Sequence, residues 1–550
     1  MTDKTECNKD DSLKTNELDT EVFGSNDSVK KLSPKYADPS ITIALDTLRI
    51  KKQALFFVNT KPSAEKLAEE ISKKMQDVDL SELAIEVEKA LSKPTKQCKR
   101  LAGCIRRGVA FHHAGLASKQ RELIEQNFKK GIVKIICATP TLAIGVDLPA
   151  FRSVIRDLKR YGGRWGMQDI PVLEYQQMAG RAGRPSYDAW GEAITIAKNE
   201  VDVDDIEMLY VNAGPESIYS KLAVEPVLRT YLLSLIAVGF VRSRSEIISF
   251  FSKTFWAHQY KDMMKLESII DRMLLLLEEW EFIISSSKRV TGDFVSADEL
   301  GNSENNSYTP TRLGKRVAEL YLDPFTAHEL ITAMHKSSER RLVLFSVLHM
   351  ISHTLEMRPL LSVRTKEYDI IQHALAVYND ALLHPEPSGY EDDYDDFLAS
   401  IKTSLFMQEW CDEMDEDYLL EKYNIRPGEV RAKLDIADWL LYACIELSRI
   451  ISLQDFTKHL LKARTRLKYG VKEELLPLLR LKGIGRVRAR ALYRSGFKDL
   501  GSIRRVDLGS LTHIIGKAHA QSIKEQLGQE EPEPVSAKKR VGQMGLGKYG

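Results

Sequence analysis

Residues 133–157, VKIICATPTLAIGVDLPAFRSVIRD, contain two short apolar runs separated by a loop of small and polar residues. Runs of this length, bounded by turn-forming residues, are typical of strands buried on both faces of a parallel sheet. Three further runs of this kind occur at QALFFVN, VAFHH and GEAITIA, and helical patterns such as PSAEKLAEEISKKM and SKQRELIEQNFKKG lie between them. This alternation predicts a parallel α/β unit over residues 37–199.

Composition narrows the class of protein. The 550 residues are enough for several domains, and 43% of them are hydrophobic, which supports real cores. The net charge is +1, so a surface for nucleic acid must come from local clustering. Six cysteines without a CxxC argue against a disulfide or metal framework. The absence of a bilayer-length apolar run and of a leader pattern favours a cytoplasmic protein without a membrane partner, and residues 1–36 are predicted to be a disordered tail.

Three segments of the α/β unit lie where ligands of parallel sheets bind, in loops beyond the carboxyl ends of strands. FFVNTKPSAEK follows the first strand, ATPTLAIGVDLPA follows the third and EYQQMAGRAGRP precedes the last. In this order, with FHHAGL between the first two, they resemble the second RecA-like motor lobe of superfamily-two helicases.

The resemblance implies a role for the arginines of QMAGRAGRP. In a two-lobed motor, ATP lies between the lobes, and Arg181 and Arg184 would stabilise transition-state charge at the γ-phosphate. Gln177 would help to position the γ-phosphate or the attacking water. For an isolated GRxGR, the alternative is a helix with two solvated arginines.

The same resemblance assigns roles to smaller residues. Gly145 and Asp147 would couple the lobe to the nucleotide, and Gly180 would let the backbone approach the other lobe. Thr139 would contact a phosphate of the tracked DNA strand.

Residues 151–175, FRSVIRDLKRYGGRWGMQDIPVLEY, carry a Gly–Gly turn signal between extended stretches. In the resembling helicases, a β-hairpin at this place opens the duplex. Aromatic and basic side chains suit that role, since rings stack on bases and cations hold phosphates. The residues implied are Arg160, Tyr161, Arg164 and Trp165. The alternative is a surface hairpin that packs on the next domain.

Beyond residue 200 the apolar spacing is helical. It predicts a winged-helix domain over residues 200–325, acting as a structural bracket or as a DNA reader, and an all-helical domain over residues 326–472. In the resembling family, a long ratchet helix touches the single strand, and here Pro427 begins such a helix. Trp439 fits its aromatic contact, with a core position as the alternative. The expected arginine is replaced by Ala432, and Arg431, about 80° round the helix, is the nearest substitute.

Residues 473–527 predict a helix–hairpin–helix DNA-binding domain. Residues 462–505 hold fourteen Lys or Arg and three acidic residues, a local net charge of +11 that suits DNA. Backbone N–H groups of the hairpin can meet a phosphate. The residues assigned to DNA are Gly483, Gly485, Arg486, Arg488 and Arg490. The alternative is a protein-docking module. The acidic runs EDDYDD and DEMDED upstream are predicted to be solvated.

Residues 528–550 are predicted to be a flexible tail. Gln543, Leu546 and Tyr549 have the Q-x-x-L-x-x-aromatic spacing of a sliding-clamp peptide, although the second aromatic of that pattern is absent. An inert tail is the alternative.

The order of these units resembles archaeal HelQ-like DNA repair helicases of superfamily two, which unwind 3′ to 5′ at stalled forks. The fold class implied is multidomain α/β plus all-α: a RecA-like lobe, a winged helix, a helical ratchet bundle and a helix–hairpin–helix. The resemblance implies single-stranded and forked DNA as partners, ATP and Mg²⁺ as cofactors, and a nucleoid-associated location.

One part of the family pattern is absent from the sequence. A complete member carries a first motor lobe with a GK[ST] phosphate loop and a DExH segment, and neither motif occurs in these 550 residues. Two interpretations compete. In the first, the chain is part of a split enzyme whose first motor lobe is on another polypeptide or was lost, and it hydrolyses no ATP alone. In the second, it is a non-catalytic DNA-binding module derived from such a helicase.

Overall fold

The structure, a computed structural model, describes residues 36–75, 78–91, 94–162, 166–183, 188–286, 307–391 and 393–528. The predictions for the amino-terminal tail before Tyr36 and for the clamp peptide at Gln543, Leu546 and Tyr549 lie outside the described residues. Among the described residues, no helix has the length and apolar character needed to span a membrane.

The motor lobe contains the predicted parallel sheet. Its strands are β1 (Ala54–Phe57), β2 (Val109–His112), β3 (Ile135–Ala138), β4 (Arg152–Ile155) and, after the short hairpin strands β5 (Lys159–Tyr161) and β6 (Met167–Asp169), β7 (Glu192–Thr195). The order across the sheet is β2–β3–β1–β4–β7, and all neighbours are parallel. The first four strands are buried throughout, because helices cover both faces. The predicted α/β fold class is confirmed.

The strand register brings the ligand-binding loops to one edge. Phe57 is paired with Ala138 on one side and with Ile155 on the other, so β1, β3 and β4 end level with one another. The helices of the lobe are α1 (Pro39–Arg49), α2 (Lys61–Ser72), α3 (Ser81–Glu88), α4 (Lys96–Ile105), α5 (Ser118–Lys129), α6 (Val172–Ala179) and α7 (Glu200–Ile206), the last continuing as a π-helix (Glu207–Val211).

The next unit has the helices and two-stranded ribbon of a winged helix. Its elements are α8 (Glu225–Ala237), α9 (Arg244–Phe251), α10 (Phe255–Tyr260), α11 (Met263–Glu279), β8 (Ile283–Ser285), β9 (Tyr308–Pro310) and α12 (Arg312–Glu319). A Cβ at Gly314 would lie 1.9 Å from the carbonyl oxygen of Phe282, so only glycine lets α12 approach the ribbon this closely.

The ratchet domain is helical, as the apolar spacing predicts. Its helices are α13 (Pro324–His335), α14 (Leu344–Ser352), α15 (Tyr368–Tyr378), α16 (Tyr394–Cys411), α17 (Glu416–Tyr423), α18 (Pro427–Ile450) and α19 (Gln454–Tyr469). One continuous apolar cluster includes Leu228 of α8, Val317 of α12 and Leu434 of α18. The winged helix and the ratchet domain therefore share a core, which favours the bracket over a separately mobile reader.

The carboxyl-terminal domain comprises α20 (Arg486–Arg494), α21 (Leu500–Arg505), α22 (Leu508–Ile515) and α23 (Lys517–Gln526), with its own apolar core. Gly483 has φ +83°, a conformation that L side chains rarely adopt, at the turn before α20.

A cluster of three histidines lies inside the ratchet domain. The ring centroids of His353 and His384 are 4.6 Å apart, and His349 lies 6.0 and 6.3 Å from them. Burial lowers the pKa of all three imidazoles, and that of His384 falls to about 3. The charged groups that face the cluster are Glu329, Lys336, Arg358, Asp393 and Asp396.

This cluster predicts acid sensitivity. Since the folded pKa values are lowered, the unfolded chain takes up protons first, and stability is lost as the pH falls below about 6.5. We expect about 1–2 kcal/mol lost per buried histidine between pH 7 and pH 5. Thermal unfolding at several pH values measures the loss, and His384→Leu should flatten the profile whereas exposed His513→Asn should not. Equal slopes for all three proteins would contradict this account.

Candidate functional site

The edge at the carboxyl ends of β1, β3 and β4 holds the first group of predicted site residues. Thr139 directly follows β3 and is buried, with its hydroxyl 3.0 Å from that of Thr141. The chain then turns and exposes Gly145, with φ +78°, and Asp147. The part assigned to Gly145 and Asp147 in nucleotide coupling stays a prediction.

Arg181 joins α6 to this loop. Its Nε lies 3.2 Å from the carbonyl oxygen of Ala143, and its Nη2 donates to the same oxygen. The backbone is paired as well, since Ala150 N–H donates to Arg181 O at 2.9 Å and Gly183 N–H donates to Ala150 O at 2.7 Å. The two segments that the sequence analysis assigned to nucleotide are therefore in direct contact.

The remaining residues of this segment surround Arg181. Gln177 is half-buried on α6, and exposed Gly180 ends that helix. Gly183 has φ +90°, and a Cβ on Gly191 would lie 2.1 Å from its backbone nitrogen, so the segment fits tightly against the start of β7. Arg184 lies outside the described residues.

The predicted hairpin is present. Strands β5 and β6 are antiparallel, with Tyr161 opposite Met167, and Tyr161 is 73% exposed. Arg160 pairs with Glu174 of α6 at 2.7 Å. Arg164 and Trp165 lie outside the described residues. The exposed ring of Tyr161 can stack on another flat ring, and its contact with a duplex end stays a prediction.

A buried carboxylate, Glu65 of α2, connects the motor lobe to the ratchet domain. It accepts hydrogen bonds from Gln97 at 2.8 Å, from Arg100 at 2.6 Å and from Arg426, just before α18, at 3.1 Å. His113 Nε2 lies 3.2 Å away, while its Nδ1 accepts from Gly115 N–H. Burial raises the pKa of Glu65, but these donors and the two guanidinium charges outweigh burial and lower it to about 2.

The first turn of α18 packs on the FHHAGL loop beside this carboxylate. Gly428 N–H donates to Gly115 O at 3.0 Å, and a Cβ on Gly428 would lie 2.3 Å from Ala114 O. An ion pair between Lys61 and Glu429 joins α2 to the same turn. The start of the ratchet helix is thus fixed directly to the motor lobe.

The two residues assigned to the ratchet contact have different surroundings. Arg431 is exposed and pairs with Asp435 at 3.0 Å. Trp439 is half-buried against the shared core, and its Nε1 donates to Leu320 O at 3.3 Å. The structure thus gives Trp439 a packing role, and its contact with DNA stays a prediction.

The arginines of the helix–hairpin–helix divide into two sets. Arg488 donates to the carbonyl oxygen of Gly483 at 3.1 Å, beside Gly485, which caps α20. Arg486 instead lies 5.3 Å above the ring of Trp410, and Arg490 pairs with Glu413 at 2.8 Å. These last two face the ratchet domain, which makes Arg488 the better placed of the three for a phosphate.

The acidic run DEMDED was predicted to be solvated, and this is wrong. Glu413 pairs with Arg490, Asp412 pairs with Arg466 at 3.2 Å, and Asp417 accepts from the backbone N–H of Lys96 at 2.9 Å. The run therefore joins three domains. Its partners lie far away in the sequence, so its composition alone could not reveal them.

Sequence reasoning also missed Glu65 and Arg426, which are 361 positions apart. A signal for Glu65 does exist, because it directly follows Ala64 and precedes Leu67, Ala68 and Ile71 of the buried stripe of α2. A carboxylate beside such a stripe needs a partner.

Comparisons with known proteins identify families for three parts of the chain. Three family models match: "Helicase conserved C-terminal domain" at residues 40–186, "Archaeal helicase, domain 4" at 345–470 and "SAM-like Helix-hairpin-helix tandem" at 475–529.

Curated relatives named "ATP-dependent DNA helicase Hel308" cover most of the chain. The chain is 37% identical over 499 residues to that of Methanocella arvoryzae, which is 89% of this chain and 64% of the relative. It is 38% identical over 498 residues to that of Pyrococcus horikoshii, covering 89% and 66%. It is 36% identical over 527 residues to that of Caldivirga maquilingensis, which is 92% of this chain and 67% of the relative. The chain thus spans about two thirds of the length of these relatives.

We expect Arg426→Ala to destabilise the junction around Glu65. Loss of one charged donor to a buried carboxylate costs about 1.5–3 kcal/mol. The exposed control Arg431→Ala should cost less than about 1 kcal/mol. Urea unfolding measures both free energies of unfolding. Equal losses for the two variants would contradict the proposed importance of the junction.

The junction also depends on pH. Because the pKa of Glu65 is lowered, its contribution to the free energy of unfolding is present above about pH 4.5 and is lost as the pH falls towards 2.

Proposed function

The chain belongs to the Hel308 family of ATP-dependent DNA helicases, and we propose that it forms the part of a 3′–5′ helicase that follows the first motor lobe and acts on single-stranded or forked DNA in replication-fork repair. The observation that carries this proposal is the contact between Arg181 and the loop of Gly145 and Asp147 at the ligand edge of the sheet. A module without nucleotide chemistry has no physical need for that arrangement.

In this proposal, the chain supplies the positively charged side chains of an ATP site. Bound ATP with Mg²⁺ would supply the free energy of phosphoanhydride hydrolysis for strand separation. The residues fit the γ-phosphate side of such a group, since Arg181 is half-buried at the edge, and Gly145 and Gly180 leave backbone exposed there. Arg184 and Gln177 would complete this side. The phosphate loop and the main magnesium ligands would come from residues outside this sequence.

The same proposal gives the DNA a path along the chain. Tyr161 and the hairpin tip would meet the end of the duplex, and Thr139 would hold a backbone phosphate. The exposed Arg431 side of α18 would follow the single strand. The helix–hairpin–helix would then bind a phosphate at Gly483, Gly485 and Arg488.

A non-catalytic DNA-binding module derived from such a helicase is the second candidate. The observation in its favour is the sequence itself, in which neither GK[ST] nor DExH occurs. Assembly with a first-lobe polypeptide separates the two candidates.

We expect the chain alone to bind single-stranded DNA and to hydrolyse no ATP. Addition of a first-lobe polypeptide should create DNA-stimulated phosphate release. Arg184→Ala should lower that rate by about 10³ or more, because Arg184 would stabilise transition-state charge on the γ-phosphate. The control Arg272→Ala changes an exposed arginine of the winged helix and should leave the rate unchanged. Turnover by the lone chain would contradict the proposal, and intact DNA binding without turnover in any assembly would favour the module.

We expect Trp439→Ala to lower the affinity for single-stranded DNA by about 1–3 kcal/mol, the cost of one base stack. Trp439→Phe keeps a ring but loses the hydrogen bond to Leu320, so it should lower the melting temperature and retain most of the affinity. Fluorescence titration and thermal unfolding measure the two effects. Unchanged affinity with a sharply lower melting temperature in Trp439→Ala would make Trp439 a core residue only.

A further inference from the structure

The helix that leads to Arg181 has no local cap at its amino end. Pro171 occupies the cap position of α6 and provides no side-chain hydrogen bond. The carboxylate of Glu216, which lies 44 residues after Val172, accepts instead from the backbone N–H of Val172 at 2.5 Å and of Leu173 at 3.2 Å. The hydrogen bonds, first that from Val172, lower the pKa of Glu216. An anion at this position satisfies the unpaired N–H groups and complements the helix dipole.

Three more contacts join residues 210–216, which begin in the π-helix after α7, to α6 or to the chain just before it. The hydroxyl of Tyr210, which is 5% exposed, donates to Ile170 O at 3.2 Å, and its ring lies 5.1 Å from that of Tyr175. Gln176 Nε2 donates to Ala213 O at 3.2 Å. Residues 210–216, which we call the linker, therefore contact the residue Ile170 before α6, the first turn of α6 and Gln176 next to Gln177.

The residues that follow the linker are fixed to the winged helix. Gln259 of α10 accepts from Ser220 N–H at 2.9 Å and donates to Ile218 O at 2.9 Å. A single residue, Ser217, separates the part held by α6 from the part held by α10. So short a connection leaves little slack, and a shift of α10 would be passed to α6.

We propose that residues 210–220, which we call the tie, couple the winged helix mechanically to α6, the helix that leads to Arg181, with Glu216 of the tie and Gln259 of α10 as positioning residues. The winged helix shares its core with the ratchet domain, so DNA-driven movement of that core would reach Gln177 and Arg181 through the tie. The consequence for ATP turnover rests on the proposed function, whereas the coupling itself is a property of the chain alone.

Amide exchange of the free chain, without DNA or ATP, tests the coupling. Glu216→Ala should speed exchange of the α6 amides about threefold or more, as expected for a lost helix cap. Gln259→Ala, in another domain, should do the same, and the double variant should add little, because both changes release one tie.

The matched control is Glu246→Ala. Glu246 forms the capping box of α9 in the same winged helix and makes no hydrogen bond to the described linker residues, so exchange in α6 should stay unchanged. Unaltered α6 exchange in Gln259→Ala, or fully additive effects in the double variant, would overturn the tie and leave Glu216 as a local cap.

Kinetics of the assembly with a first lobe test the positioning role. Glu216→Ala and Gln259→Ala should each lower kcat for DNA-stimulated ATP hydrolysis about threefold to tenfold, with the KM for ATP and the affinity for DNA unchanged. Glu216→Gln keeps an acceptor oxygen and should recover part of kcat.

The outcomes of the two tests are separable. Faster α6 exchange with an unchanged kcat would overturn the positioning role. An unmutated assembly without any ATPase activity would refute the proposed function, and the exchange experiment would still decide whether the tie exists.

Discussion

The buried carboxylate of Glu65 is the constraint on which the arrangement of the domains depends. A charge with so little exposed surface is tolerated only where donors surround it, and two of its donors come from other parts of the lobe while Arg426 comes from the ratchet domain. Separation of the two domains would leave this charge buried with fewer partners. The interface therefore favours one geometry rather than a range of sliding contacts.

This constraint has consequences along α18. Its first turn lies against the FHHAGL loop, while its middle belongs to the core shared with the winged helix. A helix held at one end by the motor lobe and along its middle by a second core links the two directly. Besides the contacts of the DEMDED run, the motor lobe is thus joined to the later domains through Arg426 and through the chain at Glu216.

The sequence predicted what depends on local pattern. Apolar spacing and turn residues predicted all five strands of the parallel sheet. They also predicted the hairpin with its glycine turn signal and the start of α18 at Pro427. Contacts between distant segments could not be predicted in this way. Glu216 belongs to a polar stretch without periodicity. The packing of Trp439 depends on Leu320, which lies 119 positions earlier in the chain. Pairing across domains is set by tertiary packing, which a single sequence does not encode locally.

The count of charged residues in the carboxyl-terminal region also fails to reveal contacts between distant segments. The local net charge of +11 treats every cation as available to DNA. In the fold, Arg464 pairs with Asp438, Arg466 with Asp412, and Arg490 with Glu413 and Glu474. These acids come mostly from the ratchet domain, outside the window in which the charge was counted. The positive charge open to a phosphate is therefore smaller than the local composition implies, because three of the fourteen cations are paired with acids outside the counted window. A phosphate contact at Arg488, beside the hairpin glycines, stays a prediction.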